Sequence, residues 1–199
     1  MKTILLATIV FATTVNAAEL DRAAAALTGN EAQFTQRFTP KGFKTAQIES
    51  GTVIFGTLPM MRWSYSRPEE KLFVFDGQHS WFYVPSDKQV TVTALDASHR
   101  AELPFLLIGD PAARNKNFVV KESARGGATT VTLQARSASA MIRNVVIVIA
   151  SDSHLIQRVD YTDREGNRTT FELGGMHKRA VSNDLFHFTP PAGVQVVEQ

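Results

Sequence analysis

The sequence predicts a mainly β protein (α+β) whose roughly ten short strands form one antiparallel sheet or partial barrel. Two observations predict this class. Short runs of β-branched and aromatic residues recur along the chain, and turn signals such as Asp76-Gly77 and Glu165-Gly166-Asn167 separate them. Helix-forming sequence is confined to the N-terminus and one central segment, and no linker or internal repeat divides the chain. We therefore expect a single domain over residues 18–199.

The first seventeen residues, MKTILLATIVFATTVNA, are typical of a cleaved secretory signal peptide. Lys2 supplies the basic start, an apolar stretch follows from Ile4 to Val15, and Ala17 ends a cleavage site of small residues. The apolar stretch is shorter than the roughly 20 residues that a membrane-spanning helix needs. We therefore expect a signal peptide over residues 1–17 and a soluble, secreted mature chain.

The elements follow in order. Residues 18–28 carry strong helix formers, with Glu19 and Asp21 in the first turn, where the helix dipole favours acidic side chains. Extended patterns occupy residues 32–94, with a hairpin at Asp76-Gly77. Between Asp96 and Asn117 proline and glycine interrupt an apolar run, which favours one or two helical turns or a loop. Extended patterns then return up to the C-terminus.

The hairpin around Asp76-Gly77 is unusual because its strands are apolar on both faces. A half-buried strand alternates apolar and polar residues, whereas the run from Trp81 to Val84 is apolar throughout. Helical sequence is too sparse to cover a ten-stranded sheet, so a cavity under a small lid and an ordinary core both remain open. The large side chains that we assign to the cavity wall are Phe34, Phe55, Met61, Trp63, Phe73, Phe75, Trp81 and Tyr83, and those assigned to the lid are Phe105, Leu106, Leu107 and Ile108.

Composition excludes several classes of function. The chain has no cysteine, so it holds no disulfide, no catalytic thiol and no Cys-based zinc site, and its core alone must stabilise it. Without Lys2, 20 Lys and Arg residues face 19 Asp and Glu residues, a net charge of +1. This balance gives no basic surface for nucleic acid, and we expect no nucleic-acid partner.

Catalytic motifs are also missing from the sequence. There is no G-x-S-x-G, no P-loop and no H-E-x-x-H, and the five histidines show no zinc-ligand spacing. The acidic run from Asp160 to Glu165 lacks the spacing of a calcium loop. We therefore expect a protein that is not an enzyme and that needs no metal and no cofactor.

Four stretches together resemble the LolA family of periplasmic lipoprotein carriers. They are residues 51–92, with Pro59, Trp63 and the Asp76-Gly77 hairpin; QFTQRF; LPFLLI; and FHFTPPAGVQVV near the C-terminus. They span nearly the whole mature chain in family order. The resemblance implies an incomplete antiparallel β-barrel of about ten or eleven strands with a short helical lid over a hydrophobic cavity.

The resemblance also implies a function and partners. Family members bind the acyl chains of lipoproteins, take them from an inner-membrane lipoprotein-releasing ABC transporter, and pass them to the outer-membrane acceptor lipoprotein LolB. The acceptor carries an N-terminal cysteine, which this chain lacks. The resemblance thus favours a soluble, monomeric carrier in the periplasm.

One position departs from the family pattern. The family usually has an arginine directly before the first proline of its motif, and this arginine holds the lid closed over the empty cavity. Here Leu58 precedes Pro59, and Arg62 or Arg67 are the candidate substitutes. The departure favours one alternative, a related carrier of another lipid, such as a glycolipid. A non-catalytic periplasmic module that senses lipids or lipoproteins is a further alternative.

Overall fold

The computed structural model describes residues 18–199, and the signal peptide predicted over residues 1–17 lies outside them. Twelve strands hydrogen-bond into one sheet: β1 (Asn30–Thr39), β2 (Gln47–Phe55), β3 (Met61–Arg67), β4 (Lys71–Phe75), β5 (His79–Val84), β6 (Gln89–Ala94), β7 (Phe118–Arg125), β8 (Ala128–Ala135), β9 (Ile142–Ala150), β10 (Ile156–Asp163), β11 (Arg168–Lys178) and β12 (Gln195–Glu198). Their order across the sheet is β12-β6-β5-β4-β3-β2-β1-β11-β10-β9-β8-β7. The sheet therefore stays open, with β12 and β7 at its two edges.

The predicted fold class, a mainly β protein with an incomplete barrel, is confirmed. Eleven strands form antiparallel pairs with their neighbours, as the hairpin signals indicated. The twelfth, β12, is a short strand that pairs in parallel with β6. It is parallel because the chain after β11 crosses the sheet before it reaches this edge.

Four α-helices accompany the sheet: α1 (Ala18–Leu27), α2 (Ala97–Ala101), α3 (Pro104–Ile108) and α4 (Pro111–Asn117). Helix α1 ends before Gly29, whose φ of 74° suits a residue without a Cβ atom. Proline begins α3 and α4, where its missing N–H group leaves no hydrogen bond unmade. We call residues 97–117 the lid. The sequence predicted one or two helical turns or a loop here, whereas the structure has three short helices.

One face of the sheet, the inner face, packs against α1 and the lid. Alternate side chains of the central strands are buried there, as in β9, where Val145, Ile147 and Ile149 are fully buried. Leu20 of α1 and Leu107 of the lid belong to the same apolar cluster. Burial of this face against the helices supplies the main hydrophobic stabilisation of the fold.

Packing on the opposite, outer face explains why the hairpin strands are apolar on both sides. Residues 181–194, which we call the strap, run across it and include a 3₁₀ helix at Asn183–Phe186. Phe186 is 2% exposed and packs with Ile54 of β2 and Val74 of β4. Strands β4 and β5 are therefore apolar on both faces because the lid side covers one face and the strap covers the other.

Within residues 18–199, no helix combines the length and apolar character that crossing a membrane requires.

Candidate binding cavity

A cavity of about 210 Å³ lies between the inner face and the lid. Seven of its eleven lining residues are aromatic, so its wall is largely apolar. The lining comprises Gln36, Met61, Trp63, Tyr65, Phe73, Phe75, Leu103, Pro104, Phe105, Tyr161 and Phe171. Strands β1, β3, β4, β10 and β11 supply the floor, and the start of α3 supplies the roof.

Trp63 stands at the centre of this wall. Its ring lies 4.7 Å from that of Phe105 in the lid, 5.0 Å from that of Phe34 and 5.3 Å from that of Phe171, in each case edge to face. Such edge-to-face pairs stabilise by about 0.5–1.5 kcal/mol each beyond the burial of their area. Trp63 therefore connects the sheet to the lid.

The sequence positions Trp63 by simple alternation on β3. Met61, Trp63 and Tyr65 are buried on the inner face, while Arg62 and Ser64 between them point to the other face. The pairing of β3 with β4 then sets Phe75 opposite Met61 and Phe73 opposite Trp63. This register brings the apolar residues of one hairpin together on one side.

The structure brings together five of the eight predicted wall residues and one predicted lid residue. Met61, Trp63, Phe73, Phe75 and Phe105 line the cavity. Behind this lining, Phe34 and Phe55 contact the Trp63 ring and are themselves buried. The remaining lid residues, Leu106, Leu107 and Ile108, are buried in the core next to the cavity and do not line it.

Two predicted wall residues, Trp81 and Tyr83, lie on the other face of the sheet. Trp81 pairs with Val74 of β4. The ring centres of Trp81 and Tyr83 lie 5.9 and 5.7 Å from that of Phe188, which follows the 3₁₀ helix. The Trp81 indole donates a hydrogen bond of 2.9 Å to Asp76. We correct their assignment to the outer face, because strand β5 is apolar on both faces and alternation cannot tell them apart.

Seven residues of the cavity region were not predicted, among them Tyr65 of β3 and Leu103 and Pro104 at the start of α3. Phe82, on the inner face of β5, stacks on Phe73 with the ring centres 4.3 Å apart. Gln36, Tyr161 and Phe171 line the cavity from distant strands. Alternation with polar neighbours in β10 and β11 marks Tyr161 and Phe171 as one-face residues, so this signal was present in the sequence.

Polar groups also contribute to the cavity lining. The Tyr65 hydroxyl donates a hydrogen bond of 2.6 Å to Oε1 of Gln36. Burial raises the pKa of Tyr65 well above its usual value, and the nearby Glu49 and Tyr161 add to the shift. The ammonium of Lys71 lies 5.6 Å from the centre of the Tyr65 ring and pairs with Glu49. Among residues 18–199, no cluster of three or more His, Cys, Asp or Glu residues could hold a metal ion.

Known proteins resemble this chain in sequence and in fold. The family model described as "Outer membrane lipoprotein carrier protein LolA" matches residues 25–189. The chain belongs to this family. An outer-membrane lipoprotein carrier protein of Xanthomonas oryzae pv. oryzae (strain MAFF 311018) is 33% identical over 96% of this chain and 94% of its own length. A protein of the same name from Nitrosospira multiformis is 29% identical over 84% of this chain and 81% of its own.

A solved structure shares the fold at low identity. An uncharacterized conserved protein from Thermus thermophilus covers 92% of this chain and 98% of its own length, with a TM-score of 0.59 and 13% identity. At this identity the likeness concerns the fold alone.

The two candidate substitutes for the LolA-family lid arginine do not contact the lid. Arg62 lies on the outer face and donates a hydrogen bond of 3.2 Å to the Leu185 carbonyl in the strap, and its partial burial lowers its pKa. Arg67 ends β3 and is exposed beside Ser50 and Glu172, in a groove of the outer face. The expectation that either residue holds the lid is therefore wrong for this conformation.

A different arginine connects the lid to the sheet. Arg100 of α2 donates hydrogen bonds of 2.8 Å to the Gly77 carbonyl and 2.9 Å to the Leu95 carbonyl. Gly77 belongs to the turn between β4 and β5, so the guanidinium links the lid to the hairpin that forms one cavity wall. A backbone carbonyl 23 residues away leaves no mark in the sequence, which is why this contact was not predicted.

Arg114 of α4 holds the lid together from within. Its side chain is 1% exposed and donates hydrogen bonds to the carbonyls of Leu107 and Ile108, at 3.2 and 2.9 Å. It also pairs with Asp21 of α1. Arg114 therefore caps the C-terminal end of α3 and ties the lid to the N-terminal helix.

Leu58, in the place of the family arginine, contacts the lid through apolar packing. A Cβ atom placed on Gly109, just after α3, would lie 2.6 Å from Cβ of Leu58. Leu58 itself packs against the main core. Leu58 therefore contacts the lid by close apolar packing.

Proposed function

We propose that this protein is a periplasmic carrier that binds the acyl chains of lipoproteins in the cavity under its lid and moves them from the inner to the outer membrane. The observation that carries the proposal is the aromatic cavity between the inner face and the lid. Membership of the LolA family and relatives named as outer-membrane lipoprotein carriers support it.

The energetics of acyl chains explain why such a carrier needs a cavity and no chemistry. Each methylene moved out of water gains about 0.8 kcal/mol, so a chain of about a dozen methylenes gains about 10 kcal/mol. An acylated protein therefore does not leave a membrane for water unless another apolar surface receives the chain. The wall around Trp63 offers such a surface, and we propose that the protein catalyses no reaction.

The size of the cavity implies that the lid moves. Pockets that enclose drug-sized ligands measure about 300–1,000 Å³, whereas this cavity measures about 210 Å³. Trp63 and Phe105 meet across it and fill the space that an acyl chain would need. We propose that cargo displaces Phe105 with α3, and that the return of Phe105 to Trp63 favours release.

We assign roles to the lining on this basis. Met61, Trp63, Phe73 and Phe75 form the wall that contacts the acyl chain, and Phe105 is the part of the lid that moves away from it. Phe34 and Phe55 support the Trp63 ring, while Leu106, Leu107 and Ile108 anchor the lid in the core. Arg100 holds the empty cavity closed.

The partners follow from the same role. We propose that a lipoprotein-releasing ABC transporter of the inner membrane loads the carrier and that LolB, an acceptor lipoprotein of the outer membrane, unloads it. A single copy encloses the cavity with its own sheet and lid, so we propose that it acts as a monomer.

A second candidate keeps the cavity and changes the cargo to another acyl lipid, such as a glycolipid. Leu58 favours it, because an apolar contact with Gly109 replaces the family's polar lid contact. A lid that is closed by a different contact opens at a different free-energy cost, which can suit a cargo that binds the cavity with a different affinity.

Native mass spectrometry of the protein purified from a Gram-negative periplasm tests the proposal. We expect a bound triacylated peptide, and a different bound lipid would favour the second candidate. The variant Phe105→Asp should purify without cargo, whereas Phe43→Asp, at a ring that is 67% exposed, should carry the same cargo. A native protein that purifies empty and takes up no acyl ligand would contradict both candidates.

A further inference from the structure

Three polar side chains interrupt the otherwise apolar lining of the cavity. Gln36 of β1, Tyr65 of β3 and Tyr161 of β10 all belong to its lining, and we call them the polar cluster. Polar residues in a ligand pocket are few and generally fix the orientation of the ligand.

The polar cluster holds hydrogen-bond donors that the protein does not use. Tyr65 donates to Oε1 of Gln36, which leaves the amide nitrogen of Gln36 with two N–H groups. Within residues 18–199 no acceptor takes a hydrogen bond from this nitrogen. Burial also raises the pKa of Tyr161, so its phenol keeps its proton, although a side-chain hydrogen bond with Thr169 acts in the opposite direction and the nearby Asp163 adds to the rise.

An acyl chain bound in the cavity supplies a hydrogen-bond acceptor. Every acyl ester or amide has a carbonyl oxygen directly at the end of its hydrocarbon chain. Burying that oxygen without a hydrogen bond costs about 1–3 kcal/mol, so a cavity that encloses the whole chain must also satisfy its carbonyl. Gln36 is only half-buried, so part of its side chain is open to solvent.

We propose that the polar cluster binds the carbonyl oxygen of the ester or amide linkage that ends an acyl chain. The Gln36 amide donates to it, Tyr161 provides a second donor, and Tyr65 orients the Gln36 amide through Oε1. The cavity therefore selects acyl esters and amides over ethers and hydrocarbons of the same length. This inference rests on the proposed function, since it describes how the same cavity recognises its cargo.

The charges beside the polar cluster fit a neutral linkage. Lys71 lies near the Tyr65 ring, but its ammonium is already paired with Glu49. A free fatty acid carboxylate would therefore compete with Glu49 for this cation, whereas an ester carbonyl needs no counter-ion. We expect a neutral acyl ester to bind more tightly than the matching free fatty acid.

A matched pair of ligands tests the inference. Monopalmitoylglycerol carries an ester carbonyl, and its ether analogue hexadecylglycerol has a chain of the same length without one. We expect the wild-type protein to bind the ester about five- to tenfold more tightly, the range of one or two hydrogen bonds. The variant Gln36→Leu should reduce this preference, the ratio of the two affinities, below twofold, and Tyr161→Phe should reduce it in part.

The control lies on the same strand. Gln33 of β1 is exposed on the outer face, so Gln33→Leu should keep the full preference. The circular dichroism spectrum and the melting temperature of each variant show whether it is folded. Equal affinity of the wild-type protein for both ligands, or a full ester preference in Gln36→Leu, would overturn the inference and leave the proposed cavity standing. Binding of neither ligand to the wild-type protein would overturn the proposed function and this inference with it.

Discussion

Two arginines of the lid have different partners and therefore different roles. Arg114 is buried and bonds to groups of α1 and α3, so it stabilises the lid as a unit. Arg100 is half-buried and reaches across to the Gly77 carbonyl on the sheet. If the lid swings as one body, the contacts of Arg100 break and those of Arg114 within the lid persist.

Replacing Arg100 should ease the opening of the lid. Hydrogen bonds from a charged donor stabilise by about 1.5–3 kcal/mol, less at a half-exposed site, so we expect Arg100→Ala to raise the open population about tenfold. Amide hydrogen exchange in α2 and α3 should accelerate by that factor. Arg37→Ala, at an exposed position of β1, is the control, and equal exchange in the two variants would exclude Arg100 as the closing contact.

Glu19 docks the N-terminal helix on the sheet. Its carboxylate lies 2.6 Å from Nδ1 of His154, in the turn after β9, and 2.6 Å from Arg22. The hydrogen bond with His154 holds the pKa of Glu19 below its usual value, although its partial desolvation acts in the opposite direction.

This lowered pKa makes the docking of α1 sensitive to acid. A carboxylate with a depressed pKa stabilises the fold fully above its ordinary pKa of about 4.3, and this stabilisation is lost as the pH falls through the lowered value. Glu19→Gln should therefore be less stable than wild type at pH 7, and the difference should disappear as the pH falls from about 4.3 through the lowered pKa. Urea unfolding at several pH values measures this, and Glu165→Gln, at an exposed pair with Arg164, is the control.

At the scale of elements, the strap explains how a sheet with so few helices buries both faces of β4 and β5. Phe186 inserts beside Gly56, where a Cβ atom would lie 2.7 Å from the Phe186 ring. The glycine therefore leaves room for the ring. The strap then continues into β12, which covers the edge of β6.

The strap should contribute to stability and not to ligand binding. Phe186→Ala removes a ring that is 2% exposed and should lower the free energy of unfolding by about 3–5 kcal/mol. Phe43→Ala, at a ring that is 67% exposed, should change it by less than about 0.5 kcal/mol. Acyl affinity should stay the same in both variants, because the cavity lies on the other face. A selective loss of affinity in folded Phe186→Ala would contradict the separation of the two faces.

The lid approaches the sheet most tightly at Gly109. A methyl group there meets Cβ of Leu58, so Gly109→Ala must push α3 away from the β2–β3 connection. Such overpacking costs about 1–3 kcal/mol, and we expect faster uptake of an acyl probe. Gly174→Ala is the matched control, since nothing lies within 4 Å of its added Cβ atom. Identical uptake rates would show that Leu58 does not limit the closure of the lid.

At the scale of the whole molecule, the sequence predicted the class of fold because its signals are local. Turn residues and runs of β-branched residues mark where strands begin and end, and Glu19, Asp21 and Gly29 mark the first helix. Alternation in β3 is likewise local: Trp63 and Tyr65 alternate with Arg62, Ser64 and Ser66, and they share the buried face. These features depend on neighbours in the chain and need no knowledge of the tertiary structure.

The remaining features depend on partners far away in the chain. Trp81 and Tyr83 were assigned to the cavity because nothing local shows that the strap covers their face. The contacts of Arg100 with Gly77 and of Arg114 with Asp21 join residues 23 and 93 positions apart. Such pairs follow from the way the lid folds over the sheet, which no spacing in the sequence encodes.

The central claim is that acyl chains bind between the inner face and the lid, and the two tryptophans of the chain test it most directly. Trp63 lines the cavity, whereas Trp81 lies on the outer face under the strap. A fatty acyl chain that carries bromine quenches indole fluorescence only at short range. We would titrate such an ester into two single-tryptophan variants, Trp81→Phe and Trp63→Phe.

We predict strong, saturable quenching in Trp81→Phe, in which only Trp63 emits, and none in Trp63→Phe. Titration with the unbrominated ester corrects for any change in fluorescence that binding itself produces. Quenching of Trp81 without quenching of Trp63 would move the binding site to the outer face. Quenching of neither would show that the aromatic residues under the lid form only a core.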